Sequence, residues 1–138
     1  LWIYPRGEAV TDEKAADLIA GAAGVALCLG ADFVKVNPPA AADGKTSAEL
    51  LAIASRAAGR TGLVCAGGSK ADAREFLSSL YDQIHVGGAV GNATGRNIHM
   101  RSLDEAVRLT QAISAITLGD YDVEEAMDVF EGKEHYTL

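Results

Sequence analysis

Short apolar runs rich in strand formers recur about every thirty residues, the length of one β-α-β unit. They begin near residues 1, 32, 62 and 91, and a stretch with helical spacing follows each one. "LWIY" (1–4) reads as the first strand and stops at Pro5. Residues 12–29 carry Ala15, Leu18, Ile19, Ala22, Ala26 and Leu29 on a helical stripe, with Thr11 as the expected N-cap and Gly30 as the stop. "DFVKVN" (32–37) is the second strand, halted by Pro38 and Pro39. "TSAE" (46–49) is a capping box for a helix that ends at Gly59. "GLVCA" (62–66) is the third strand, and Ser69 is the expected cap of a helix bearing Ala73, Phe76, Leu77, Leu80 and Ile84. A short fourth strand is expected at about 91–94, inside "GGAVGNATGRN". A second capping box, "SLDE" (102–105), opens a long helix, and a last amphipathic helix spans about 123–131 with Ala126, Val129 and Phe130 inward.

Strands alternating with helices imply a parallel sheet covered by helices. The candidates are a doubly wound sheet and part of a (β/α)8 barrel. A whole barrel takes about 250 residues. This chain has 138, which suits four strand–helix units plus a C-terminal helix, read as one partial barrel domain over residues 1–138. A strand starting at residue 1 suggests a chain that begins mid-fold.

The chain is 49% hydrophobic and 22% charged, enough apolar material for a core. Nineteen acids against twelve bases give a net charge of −7, which argues against nucleic acid as a partner. No apolar run reaches the roughly 18 residues of a membrane span, so no membrane partner is expected. Cys28 and Cys65 both lie in apolar segments without CxxC spacing. Both read as small buried hydrophobes of a reduced, cytoplasmic protein. The three histidines lack zinc-ligand spacing, and no metal site is expected.

In either α/β architecture, chemistry gathers at the C-terminal ends of the strands. Here those ends read "YPRG", "KVNPP", "CAGGSK" and "ATGRN". Alternation sets Phe33, Lys35 and Asn37 on one side of the second strand and Val34 and Val36 on the other. Two readings of Lys35 are open from strand position. It snorkels to water, or it is a desolvated amine whose lowered pKa suits imine formation with a carbonyl. Lys70, after Gly-Gly-Ser, is the rival amine. Trp2, Tyr4 and Arg6 share a side of the first strand. Tyr4 is a candidate proton carrier, Trp2 reads more simply as an aromatic core residue, and Arg6 either clamps an anion or pairs with Glu8. "AGGS" (66–69) and "TGRN" (94–97) look like a split phosphate cradle, in which glycines admit backbone N–H groups to an anion and Arg96 adds charge.

Together "WIYPRG", "GADFVKVNPP", "CAGGSK", "YDQIH" and "GNATGRNIH" resemble the archaeal-type class I fructose-1,6-bisphosphate aldolases of the DeoC/FbaB family. The resemblance covers the C-terminal half of the family's (β/α)8 TIM barrel, strands five to eight. It implies that Lys35 is the Schiff-base lysine and Tyr4 the acid/base residue. It implies substrate contacts from Trp2 and Arg6, and phosphate loops at Ala66, Gly67 and Gly68 and at Gly95 and Arg96. Pro38 departs from the family, where many members carry tyrosine. The implied reaction is reversible cleavage of fructose 1,6-bisphosphate through a covalent imine on Lys35, with no other cofactor. The implied partners are a phosphorylated sugar and further copies of the chain, in a cytoplasmic, glycolytic or gluconeogenic setting. The 2-amino-3,7-dideoxy-D-threo-hept-6-ulosonate synthases share the YPRG, lysine and GRN positions and are the nearest enzyme alternative. Deoxyribose-phosphate aldolase is a weaker one. A non-catalytic half-barrel assembly module is the alternative of a different class.

Overall fold

A computed structural model describes residues 1–137. Its elements, in order, are α1 (Ala16–Cys28), β1 (Phe33–Val36), α2 (Ser47–Ala57), β2 (Gly62–Ala66), α3 (Ala73–His85), β3 (Gly91–Ala93), α4 (Arg96–His99), α5 (Leu103–Gly119) and α6 (Val123–Glu131). The described residues form two compact units. One comprises Leu1–Ala66 and Gln83–Ala93, the other Gly67–Asp82 and Thr94–Leu138.

The first unit holds a parallel sheet ordered β1-β2-β3. Val34 and Val36 of β1 and Leu63 and Cys65 of β2 are buried. They pack with Ile19, Ala22, Ala23 and Ala26 of α1 and Leu51 and Ala54 of α2 in one apolar cluster. Chain order equals sheet order, so no reversal of the kind that marks a doubly wound sheet occurs. An unreversed order of this kind is the winding of a barrel.

The expected first strand is the main correction. Residues 1–4 form only a single parallel bridge, Trp2 to Lys35. Three hydrogen bonds hold it: Leu1 amino group to Phe33 O at 2.7 Å, Lys35 N–H to Leu1 O at 2.7 Å and Ile3 N–H to Lys35 O at 3.1 Å. Pro5 has no N–H with which to extend the ladder. The fourth parallel unit is therefore a stub rather than a strand.

Helix ends follow local chemistry closely, with two exceptions. Thr46 and Glu49, and Ser102 and Glu105, close reciprocal capping boxes, as does the pair Asp122 and Glu125. The α1 C-terminus is a Schellman motif: Gly30 at φ +73° sends its N–H to Leu27 O, and Ala31 sends its N–H to Ala26 O. Thr11, however, caps nothing. Asp12 takes the Lys14 N–H on its side chain and the Ala15 N–H on its carbonyl, and this turn delays the helix to Ala16. Likewise Asp72, not Ser69, caps α3, accepting the N–H groups of Arg74 and Glu75. A carboxylate at that position outcompetes a hydroxyl three residues earlier because it is an ionised acceptor beside the positive helix end.

In the second unit α5 and α6 pack together through Leu109, Ala112, Ala115, Ile116, Ala126, Met127 and Val129. Phe130 is only half-buried, its ring facing the Arg101 guanidinium at 5.6 Å. Arg108 donates to Phe130 O at 2.7 Å, and Arg74 pairs with Glu124. No helix among the described residues is long and apolar enough to cross a membrane.

Candidate active site

In the first unit, register layers the chemistry. Trp2 bridges to Lys35, Lys35 pairs with Val64, and Val64 with Gly91. Partnered residues of a parallel sheet face the same side, so these four form one layer. Asn37, Ala66 and Ala93 lie one level further toward the strand C-termini on that side, because Ala66 pairs with Ala93. The opposite side, with Val34, Val36 and Cys65 fully buried, packs on the helices. Lys35 thus sits half-buried on the helix-free face of the sheet.

The Lys35 Nζ lies 4.1 Å from the centroid of the Trp2 ring, a cation–π contact. Trp2 is not the core residue expected from its type. It is 76% exposed and covers the amine rather than joining the cluster behind the sheet. Tyr4 is half-buried, and the Arg6 guanidinium lies 5.5 Å from its ring. Arg6 pairs with Glu13 at 3.3 Å rather than with Glu8, because the turn at Asp12 brings Glu13 around. Tyr4 and Arg6 are thereby tied to the segment leading into α1.

Cys65 is fully buried, and loss of hydration pushes its thiol up to about 12. Cys28 contradicts the expectation and is exposed. The buried stripe of α1 runs through Ile19, Ala22, Ala23 and Ala26, and Cys28 lies about 200° around the helix from Ala26. A cleft of this unit is lined by Leu27, Gly30, Ala31, Asp32, Phe33, Arg60 and Thr61. It lies at the strand N-termini, the end that barrels use for stability rather than chemistry.

The second unit holds the glycine loops. Gly67 abuts Thr94 so closely that a Cβ there would lie 2.5 Å from Thr94 Oγ1 and 2.8 Å from its Cα. Gly68 adopts φ +66° with open space around it, a conformation that L side chains resist. Gly95 precedes the single turn α4, and its carbonyl accepts the N–H groups of Ile98 and His99. Arg96 is exposed at the first position of that turn. Lys70, the rival amine, donates to Met100 O at 2.9 Å.

One residue that sequence reasoning passed over dominates this region. Asn97 is completely buried. Its Nδ2 donates to Gly67 O at 2.8 Å and Ser69 O at 3.0 Å, and its Oδ1 accepts the Ala71 N–H at 2.8 Å. Arg101 adds bonds to Asn97 O and Ala71 O. A conspicuous signal was present in the sequence, since an asparagine directly follows the Gly-Arg pair of a proposed anion loop. Among the described residues no group of three or more His, Cys, Asp or Glu side chains could hold a metal ion.

Known proteins resemble this chain along most of its length. The family described as DeoC/LacD family aldolase matches residues 1–101. The fructose-bisphosphate aldolase/6-deoxy-5-ketofructose 1-phosphate synthase of Methanocaldococcus jannaschii is 53% identical over 132 residues, covering 96% of this chain and 42% of that protein. A solved fructose-bisphosphate aldolase from Slackia heliotrinireducens superposes with a TM-score of 0.96 at 74% identity, over 99% of this chain and 43% of that one. An archaeal fructose-1,6-bisphosphate aldolase, solved with its catalytic lysine covalently bound to the carbinolamine intermediate of the substrate, superposes at 0.70 with 28% identity, over 84% and 43%. The chain therefore spans less than half the length of these relatives, and its parallel strands and helices match half of an aldolase barrel.

Proposed function

Because the chain belongs to the DeoC/LacD aldolase family, we propose that it is the C-terminal half of a class I aldolase barrel, one partial domain over residues 1–138. Its proposed activity is reversible cleavage of fructose 1,6-bisphosphate. The observation that carries this reading is Lys35: a half-buried amine on the helix-free face, under Trp2, in a sheet register shared with its neighbours.

In the proposed reaction the Lys35 Nζ attacks the C2 ketone carbon, and the carbinolamine loses water to give an iminium. Tyr4 takes the proton of the C4 hydroxyl as the C3–C4 bond breaks. The bonding electrons flow into the iminium, and glyceraldehyde 3-phosphate leaves. The enamine is then protonated at C3, and water hydrolyses the imine to release dihydroxyacetone phosphate. The iminium is the electron sink, so this chemistry calls for no metal. Trp2 and Arg6 would contact substrate, and Ala66, Gly67, Gly68, Gly95 and Arg96 would hold its phosphates. The setting proposed is a cytoplasmic homo-oligomer.

The half-barrel reading draws support from each unit. In the first, Val25 of α1, Leu29 just past its end and Leu1 beside the bridge are exposed at 52%, 69% and 53%. In the second, Leu103, Val107 and Leu118 of α5 are also exposed. These are surfaces that further strand–helix units of a whole barrel would cover. The assembly-module alternative predicts that the 138-residue chain runs as a stable dimer in native mass measurement and forms no imine.

The test is to incubate the full-length gene product with dihydroxyacetone phosphate, reduce with borohydride and map the adduct by mass. We expect the adduct on Lys35 and its loss in Lys35→Ala. An adduct on Lys70, or none, overturns the reading. Product analysis then separates fructose 1,6-bisphosphate cleavage from two alternatives. One is formation of 6-deoxy-5-ketofructose 1-phosphate, named for the Methanocaldococcus relative; the other is the aminodideoxyheptulosonate synthase reaction.

A further inference from the structure

We infer that Asn97 is a positioning residue that turns the 67–70 loop into a phosphate receptor, an assignment that rests on the proposed aldolase reading. Asn97 spends its entire amide on this loop. Two donated bonds reach Gly67 O and Ser69 O, and one accepted bond comes from Ala71 N–H. A trans peptide plane points a carbonyl and the following N–H in opposite directions. Holding Gly67 O and Ser69 O against Asn97 therefore turns the N–H groups of Gly68 and Lys70 away from it. Among the described residues neither of those N–H groups donates to a backbone carbonyl. Gly68 at φ +66° lets the chain make this turn, the backbone conformation in which successive N–H groups converge on an anion.

Asn97 belongs to the "TGRN" segment, so the same side chain fixes the Gly67–Lys70 loop against the Gly95–Arg96 loop. The close approach of Gly67 to Thr94 seals the other side of that junction. Arg101 braces the arrangement by bonding Asn97 O at 2.8 Å and Ala71 O at 2.9 Å. The ligand class is a phosphate monoester, held by backbone N–H groups whose direction a buried amide sets.

The test uses Asn97→Ala and the isosteric Asn97→Asp, which puts acceptor oxygens against Gly67 O and Ser69 O. Both are made in the full-length gene product, with Ser102→Ala as a control that loosens only the α5 cap. Three readouts are compared: binding of inorganic phosphate by calorimetry, KM against kcat for fructose 1,6-bisphosphate, and borohydride trapping of phosphate-free dihydroxyacetone. We expect phosphate binding and KM to worsen by about 10- to 100-fold in both Asn97 variants, the loss expected for one or two bonds to an ionised partner. We expect kcat and the trapping of dihydroxyacetone to hold, and Ser102→Ala to match wild type in all three. Unchanged phosphate binding in Asn97→Asp overturns the inference, as does equal loss of trapping and phosphate binding. Failure of the aldolase reading looks different: no trapped imine in the wild type, while the calorimetric comparison still decides the role of Asn97.

Discussion

The sheet of the first unit and the loops of the second hold their chemical groups by different means. Lys35 is oriented by backbone register, which sets it in a layer with Trp2, Val64 and Gly91, and by the buried valines on either side of it. The glycine loops have no such ladder. Side chains orient them instead, through the buried Asn97 amide, the Arg101 guanidinium and the contact of Gly67 with Thr94. A residue on a sheet inherits its direction from a repeating pattern, so single changes around it mainly alter its chemistry. A loop inherits its direction from a few specific bonds, so single changes there should alter binding.

Tyr4→Phe gives the largest expected effect. Loss of the proposed proton carrier should lower kcat by about 100- to 10,000-fold, while the proposed adduct on Lys35 still forms. A change in KM alone, with kcat unchanged, would break the contrast between chemistry beside the sheet and binding in the loops. Next comes the packing that supports the sheet. Leu51 is fully buried in its cluster, and Leu51→Ala should cost about 2–5 kcal/mol of unfolding free energy in urea melts. Gly67→Ala should destabilise by about 1–3 kcal/mol, since the added methyl meets the Thr94 backbone, and should raise KM more than it lowers kcat. Wild-type KM in Gly67→Ala would remove the close approach from the account.

Thr46→Ala and Ser102→Ala sharpen the comparison from the other side. Each deletes one capping box, one in each unit, at about 0.5–2 kcal/mol, and neither should change kcat or KM. The smallest effect at neutral pH concerns the thiols. Cys28 should react with a thiol reagent in the native state, and Cys65 only after unfolding. The sign of the pH dependence follows from the raised Cys65 value. Above pH 9 the unfolded chain releases this proton, whereas the folded chain keeps it up to about 12. Cys65 therefore favours folding fully at lower pH and loses that contribution as pH rises through this window. Cys65→Ala should flatten the alkaline limb of a stability-against-pH curve.

Much of the first unit, and helix starts in both, was legible from residues alone. Alternation in "DFVKVN" put Lys35 opposite Val34 and Val36, and the burial of β1 follows it. "TSAE" and "SLDE" announced their capping boxes, and "GLVCA" coincides with β2. Three of the misreadings share a cause. Thr11, Ser69 and Trp2 were judged by residue type, but Asp12 and Asp72 competed for the backbone donors, and Trp2 found a cation to cover.

The amino-acid sequence by itself determined the parallel strand–helix grammar, the helix ends that rest on three- and four-residue patterns, and the face that carries Lys35. Each of these follows from contacts within a few residues, where periodicity and capping chemistry act. Only the tertiary structure decided that sheet order follows chain order, that Trp2 lies over the amine, and that Asn97 ties Gly67 and Ser69 to the next loop from 30 and 28 residues away. A hydrogen bond across that separation leaves no periodic trace. It exists only once strands and turns have brought the two segments within reach.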